Sequence, residues 1–167
     1  MKVEFELEGL DNALAMLKAL PPEVVSKNGG PVRVALRKAA SMLAKQAQSN
    51  FAAAVASPGA SGITDSSGFT QAQIKPKRGR KMPPGVKGER FLVTARYVLH
   101  PTGNKFRNRP VRANDIAFLM EHGSSKQPAT PWLRPAYEAK RGEAVAIVQR
   151  ELPAAIRRVV ARLEKAR

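Results

Sequence analysis

The spacing of apolar positions changes repeatedly along the chain, and each change marks an element. Val3, Phe5 and Leu7 alternate with Lys2, Glu4, Glu6 and Glu8, the period of a half-buried strand, until Gly9 breaks it. Leu10, Leu14, Leu17 and Leu20 then take helical spacing, with Asp11 or Asn12 as cap and Pro21-Pro22 as stop. Asn28-Gly29-Gly30 reads as a turn. Pro31 opens a long helix reaching about Ala56, whose apolar face is Val32, Leu36, Ala39, Leu43, Ala47, Phe51 and Val55. Ser57-Pro58-Gly59 ends it.

The middle of the chain reads differently. Residues 57–70 are small, polar and Gly-rich, which predicts a mobile loop. Gln71, Gln73 and Lys75 alternate with Ala72, Ile74 and Pro76, which predicts a strand. Arg78–Gly88 interleaves Gly and Pro with basic residues, as at a hairpin tip or in an open loop. Glu89–His100 carries Phe91, Leu92, Val93, Tyr97, Val98 and Leu99, enough β-branched and aromatic character for a strand or two. Pro101–Pro110 is a second basic loop, and mobility is expected over 101–112 as over 78–88. A last helix from Pro135 shows Tyr137, Val145, Val148, Leu152, Ile156, Val159 and Leu163, with Pro153 forcing a kink or a break. No repeat or linker divides the chain. The expected fold is one α+β domain over 1–167: a long helix in the N-terminal half and a C-terminal helix on a small, mostly antiparallel sheet.

Ala117–Glu138 holds the densest run of unusual choices. Ala117, Phe118, Leu119 and Met120 end a short helix that Asp115 or Asn114 can cap. Gly123 suits the left-handed position that closes it. Ser124–Gln127 is a polar link, and Pro128, Pro131 and Pro135 then surround Trp132, the sole tryptophan. Arg134 precedes a proline and is biased out of the helical region, while Pro135 fits a first helical turn. Trp132 and Leu133 are expected on a rigid extended segment, buried against the helices.

Composition narrows the function. The chain has 167 residues and no cysteine, which excludes disulfides and thiolate metal sites. No apolar run reaches the roughly 20 residues that span a bilayer, and the acidic, alternating start does not read as a signal peptide. These traits predict a soluble protein made in a cytoplasm. The formal net charge of +16 implies attraction to polyanions or to acidic protein surfaces. It concentrates in Lys75, Lys77, Arg78, Arg80, Lys81 and Lys87, and again in Lys105, Arg107, Arg109 and Arg112. Those loops read three ways: as solvated tips, as salt-sensitive contacts to DNA phosphates, or as docking sites for an acidic partner. Only Tyr97 and Phe106 are near enough to stack on bases, so the pattern of a single-strand binder is weak.

One family accounts for the unusual run. Phe118, Leu119, Glu121, Gly123 and Ser124, followed by Pro131-Trp132-Leu133-Arg134-Pro135-Ala136, resemble the tail-completion (minor tail component) family of long-tailed bacteriophages. The opening from Val3 to Leu20 before Pro21-Pro22 is similar to that family's start. The resemblance implies a structural virion protein of the neck, without catalysis or cofactor. It implies a closed ring, expected as a hexamer, that completes the tail and joins it to the head. Genomic DNA would pass through the lumen in transient contact. The neighbours would be neck or head-completion proteins and tail-tube or tail-terminator proteins, with no membrane partner. Arg78–Gly88 and Lys105–Arg112 would face the lumen or an adjacent ring. Phe118, Glu121, Gly123, Ser124, Pro131, Trp132, Leu133, Arg134 and Pro135 would form a buried hinge beside a subunit interface. The long Ser57–Gly68 stretch and the excess of basic residues depart from the family's pattern.

Individual residues keep alternatives. Glu121 reads as an acid on a solvated face or as a subunit contact. Arg134 is placed to fork a carboxylate, either its own Glu121 or Glu138 or a neighbour's. Trp132 and Leu133 read as core. No phosphate-cradling Gly-rich loop, H-E-x-x-H or G-x-S-x-G occurs. Glu121 and His122 make a poor metal pair, since adjacent helical residues point apart. Ser124, His122 and Asp115 are a chance triple. A stand-alone basic nucleic-acid-binding protein is the alternative function.

Overall fold

A computed structural model describes residues 30–57, 65–79, 89–101, 105–106 and 109–165. The expected first strand and first helix, the Asn28-Gly29 turn, and Arg80, Lys81, Lys87 and Arg107 lie outside these residues. The fold is α+β. In chain order, α1 is Gly30–Ala56, α2 Phe69–Gln73, β1 Ile74–Arg78, β2 Phe91–Ala95, β3 Lys105–Phe106, β4 Arg109–Pro110, α3 Ala113–His122 and α4 Leu133–Lys165. No described helix is long and apolar enough to cross a membrane.

The chain forms two compact units, the first from Ala40–Arg78 and Leu92–Arg141. Its core gathers Ala47 and Phe51 of α1, Ile74 of β1, Ala95 of β2, Val111 just past β4, Ile116, Ala117 and Met120 of α3, then Trp132 and Ala136. Phe51 meets Trp132 edge-on, with centroids 5.5 Å apart and an interplanar angle of 85°, the arrangement that aromatic quadrupoles favour. Amides on α1 tie the elements together. Gln48 donates to the Ile74 carbonyl at 2.8 Å and Asn50 to the Trp132 carbonyl at 3.2 Å.

β1 and β2 form a two-stranded sheet. The Arg96 N–H donates to the Gln73 carbonyl at its start, and the Gly79 N–H donates to the Arg90 carbonyl at its end, so the pair is antiparallel. Ladder bonds at positions 73 and 79 leave Pro76 facing away from β2, where a residue without an N–H costs least. Ile74 is buried while Lys75, Lys77 and Arg78 are exposed. β3 and β4 are a second antiparallel pair, Lys105 opposite Pro110 and Phe106 opposite Arg109.

The second unit includes, among described residues, 30–39, Gly79, 89–91 and 142–165. Pro31, Ala35 and Ala39 of α1 and Ala144, Val148, Leu152, Ala155 and Ile156 of α4 are its buried side chains among the described residues. Lys38 and Glu151 pair at 2.5 Å; Glu151 sits among cations, and Lys38, then Arg150 and Arg158, hold its carboxyl below the usual range.

Several expectations shift. The buried positions of α1 are Pro31, Ala35, Ala39, Ala40, Ala44, Ala47 and Phe51, while Val32, Leu36, Leu43 and Val55 are half-buried at the margin. The centre of the stripe is therefore small. Residues 65–70, read as the end of a loop, are folded, and Gln71–Gln73 close a helical turn before the strand begins. A buried carboxylate at Asp65 overrides their alternation. Within the expected 101–112 loop, β3 and β4 pair and Leu99 bridges Arg112. Pro153 does not break α4; the lost donor leaves one ladder bond unmade while buried Leu152 and Ile156 flank it.

Candidate functional site

Most of the singled-out residues meet in one place, the joint between α3 and α4. The N-cap of α3 is Arg112, not Asn114 or Asp115. Asp115 occupies the third helical position and its carboxylate reaches back to the Arg112 N–H at 3.0 Å. That is half of the reciprocal pattern by which helix starts satisfy orphan donors. Arg109 forks the same carboxylate, Nη1 to Oδ2 at 2.7 Å and Nη2 to Oδ1 at 2.8 Å. Burial opposes the charge on Asp115, but Arg109 and the Arg112 N–H outweigh it and lower the carboxyl below its usual range. Arg109, expected to face a lumen or partner, holds the start of α3 through this fork.

The end of α3 is fixed by Gly123. Its φ of 69° and ψ of −171° lie in a region essentially open only to glycine. Its N–H donates to the Leu119 carbonyl at 2.7 Å. A Cβ there would stand 2.7 Å from the Ala129 nitrogen and 2.8 Å from the Gln127 carbonyl oxygen. Ser124 and Gln127 then bond reciprocally through their backbones, and the Thr130 N–H returns to the Met120 carbonyl at 2.7 Å. The polar link is therefore a tight turn that brings the chain back along α3.

Glu121 closes the joint. It is only 8 % exposed. Oε2 accepts the N–H of Trp132 at 2.8 Å and of Leu133 at 2.7 Å, and Oε1 accepts that of Arg134 at 3.2 Å. These are the orphan donors of the first turn of α4, satisfied by a carboxylate from another helix. A negative charge at a helix N-terminus also gains from the macrodipole. The arrangement explains why α4 starts at Leu133 rather than Pro135. Three N–H groups in succession are taken by Glu121, and Pro135 has none to leave bare. The bias of Arg134 against helix yields to this cap. Glu121 is thus neither a solvated acid nor free to meet a neighbour, and its carboxylate faces backbone donors rather than the Arg134 guanidinium.

Trp132 is buried and its indole N–H donates to the Ala117 carbonyl at 2.9 Å, as a core tryptophan requires. Leu133 packs at the margin of the same core. The outward side chains of the joint include Phe118, His122, Pro131, Arg134 and Pro135. Phe118 is 52 % exposed and its ring lies 4.6 Å from that of His122. Glu121 and His122 point apart as expected, and no group of three or more metal-ligating side chains occurs among the described residues.

The described basic residues fall on several elements. Lys75, Lys77 and Arg78 are on β1. Arg112 lies over the Tyr97 ring, 4.0 Å from its centroid, and donates to its hydroxyl. Lys105 is in β3, and Arg80, Lys81, Lys87 and Arg107 lie outside the described residues.

A second polar cluster was not legible in the sequence. Asp65 and His100 are buried, with His100 Nε2 2.9 Å from Asp65 Oδ2. Asp65 also accepts the Ser67 N–H at 2.9 Å, the Ser67 hydroxyl, and the Thr70 N–H at 2.5 Å. Phe69 packs edge-on against the imidazole at 5.1 Å. Burial works against the charge, but the bonds from Ser67, Thr70 and His100 hold the Asp65 carboxyl far below the usual carboxylate range. The local signal was Asp65-Ser66-Ser67-Gly68, a capping pattern before α2; nothing in the spacing pointed to His100. Buried as it is, the pair offers no surface to a substrate and serves to seat α2. No family model, curated protein or solved structure matches the chain.

Proposed function

We propose that this protein is a non-catalytic building block of a phage neck, assembling into a hexameric ring that completes the tail and joins it to the head. In this reading it belongs to the virion, contacts adjacent neck, head-completion or tail proteins, and lets genomic DNA pass through its lumen.

One observation carries the proposal. Of the residues on which the resemblance rests, Glu121, Gly123, Trp132 and Pro135 together make the α3–α4 joint, and each residue type answers a stated need of that joint. The joint holds Phe118, His122 and Arg134 outward on a fixed frame. An aromatic pair and a cation held rigidly at the surface suit a side-to-side contact between unlike faces of neighbouring copies, the kind that closes into rings.

The test is the mass in solution by light scattering, for the protein alone and mixed with tail or neck proteins. A ring-sized species supports the proposal. Arg134→Glu and Phe118→Ala should then abolish that species while leaving the circular dichroism unchanged. A chain that stays monomeric with every such partner refutes it.

A further inference from the structure

The charges of the first unit are distributed very unevenly. Its described acids are Asp65, Asp115, Glu121 and Glu138. The first three are buried in the internal bonds already described, and only Glu138 is exposed. Cations remain outside. On the sheet, strand alternation puts Ile74 and Ala95 into the core and turns Lys75, Lys77 and, just past β2, Arg96 to the opposite face. All three are exposed, and no acid among the described residues pairs with them. Lys75 and Lys77 stand about 7 Å apart along the strand. Next to Arg96, Tyr97 is 65 % exposed, and one side of its ring is covered by the Arg112 guanidinium.

We infer that this outer sheet face, Lys75, Lys77 and Arg96 with Arg112 at its end, is a docking track for the phosphate backbone of duplex DNA. A regular row of cations free of interspersed acids matches a uniformly charged backbone. At this face a second copy of the chain, with formal net charge +16, is a poorer match than a polyanion. Single strands are bound through aromatics that stack on bases; Tyr97, already partnered by Arg112, is a poor platform for that. Pro76 supports the assignment, since it removes a donor from the outer edge of β1 and disfavours an added strand there. Binding is electrostatic and independent of sequence. The inference narrows the DNA contact of the proposed function to one face, and it holds for a single chain whether or not rings form.

The experiment titrates the full chain with short duplex DNA of unrelated sequences over a range of salt. Lys75→Ser, Lys77→Ser and Arg96→Ser are combined in one variant. Three lost phosphate contacts should flatten the slope of log K against log salt by about 2.7 and weaken binding at 0.1 M salt by about two to three decades. A control variant removes the same charge from α4, as Arg157→Ser, Arg162→Ser and Lys165→Ser, and should keep the wild-type slope. An equal loss in the control means that only bulk charge matters, and overturns the inference. So does a wild-type chain indifferent to duplex, or polyglutamate competing as well as duplex does, which would assign the face to acidic protein. A monomer that binds duplex through this face but never forms rings would sink the proposed function and leave this inference standing.

Discussion

Replacing Glu121 isolates the joint on which the functional reading depends. Glu121→Ala removes both carboxylate oxygens from Trp132, Leu133 and Arg134, whose N–H groups lie 2.8, 2.7 and 3.2 Å away. Arg134 is exposed, so its N–H recovers a bond to water. Those of Trp132 and Leu133 are at buried and half-buried positions. A buried donor left without a partner costs about 1–3 kcal/mol, and loss of the charge at the helix start adds up to about 1 kcal/mol. Together these predict a destabilisation of about 3–4 kcal/mol. For a chain of this size that lowers Tm by roughly 6–16 °C. Glu121→Gln keeps one carbonyl oxygen for Trp132 and Leu133 but turns an amide toward Arg134, so about 1–2 kcal/mol is expected. Urea unfolding followed by Trp132 fluorescence measures both, because the sole tryptophan sits beside the cap. A Glu121→Ala change below about 0.5 kcal/mol, at unaltered Trp132 emission, would refute the capping role. It would return Glu121 to the surface roles that its sequence context suggests.

Other consequences can be measured in the same way. Gly123→Ala forces a Cβ against the Ala129 nitrogen at 2.7 Å and adds the strain of a φ of 69°; thermal melts should show about 2–3 kcal/mol lost. Asp65 and Asp115 both have folded pKa values lowered below the unfolded one. Their contribution is therefore fully present above the unfolded value of about 3.9 and is lost as pH falls from there toward the folded values. Stability against urea should drop steeply below about pH 4, and Asp65→Asn and Asp115→Asn should each make that drop shallower while lowering stability at neutral pH. Pro153→Ala restores a ladder donor within α4 and should raise the stability of the second unit by about 1–3 kcal/mol, read by hydrogen exchange along 142–165.

What the sequence revealed follows the range of each interaction. Helical periodicity is local, so α1 and α4 were legible from Val32–Val55 and Tyr137–Val159, and the strand around Ile74–Pro76 from its alternation. The limits of the elements depended on distant partners. The alternating Gln71-Ala72-Gln73 became helical because Asp65 accepts the Thr70 N–H. α4 began two residues before Pro135 because Glu121, 11 positions before Trp132, was waiting for its donors. The importance of Glu121, Gly123 and Trp132 was visible, but the role of Glu121 was not, since nothing local says which helix an acid will cap. Arg109 looked like one more cation in a basic loop. Only the folded chain sets it against Asp115, and only the folded chain brings His100 to Asp65.

The alanine stripe on α1 sets how this protein tolerates change. A core of large side chains fails when it is hollowed out, because truncation leaves a void. Here Ala35, Ala39, Ala40, Ala44 and Ala47 are buried and have almost nothing to lose by truncation. The damaging direction is growth. Valine or leucine at these positions would wedge α1 away from what it packs on, at roughly 1–3 kcal/mol each. The half-buried Val32, Leu36 and Leu43 beside them have room to vary. Related chains should therefore drift in size along the margins of this helix and hold its centre small.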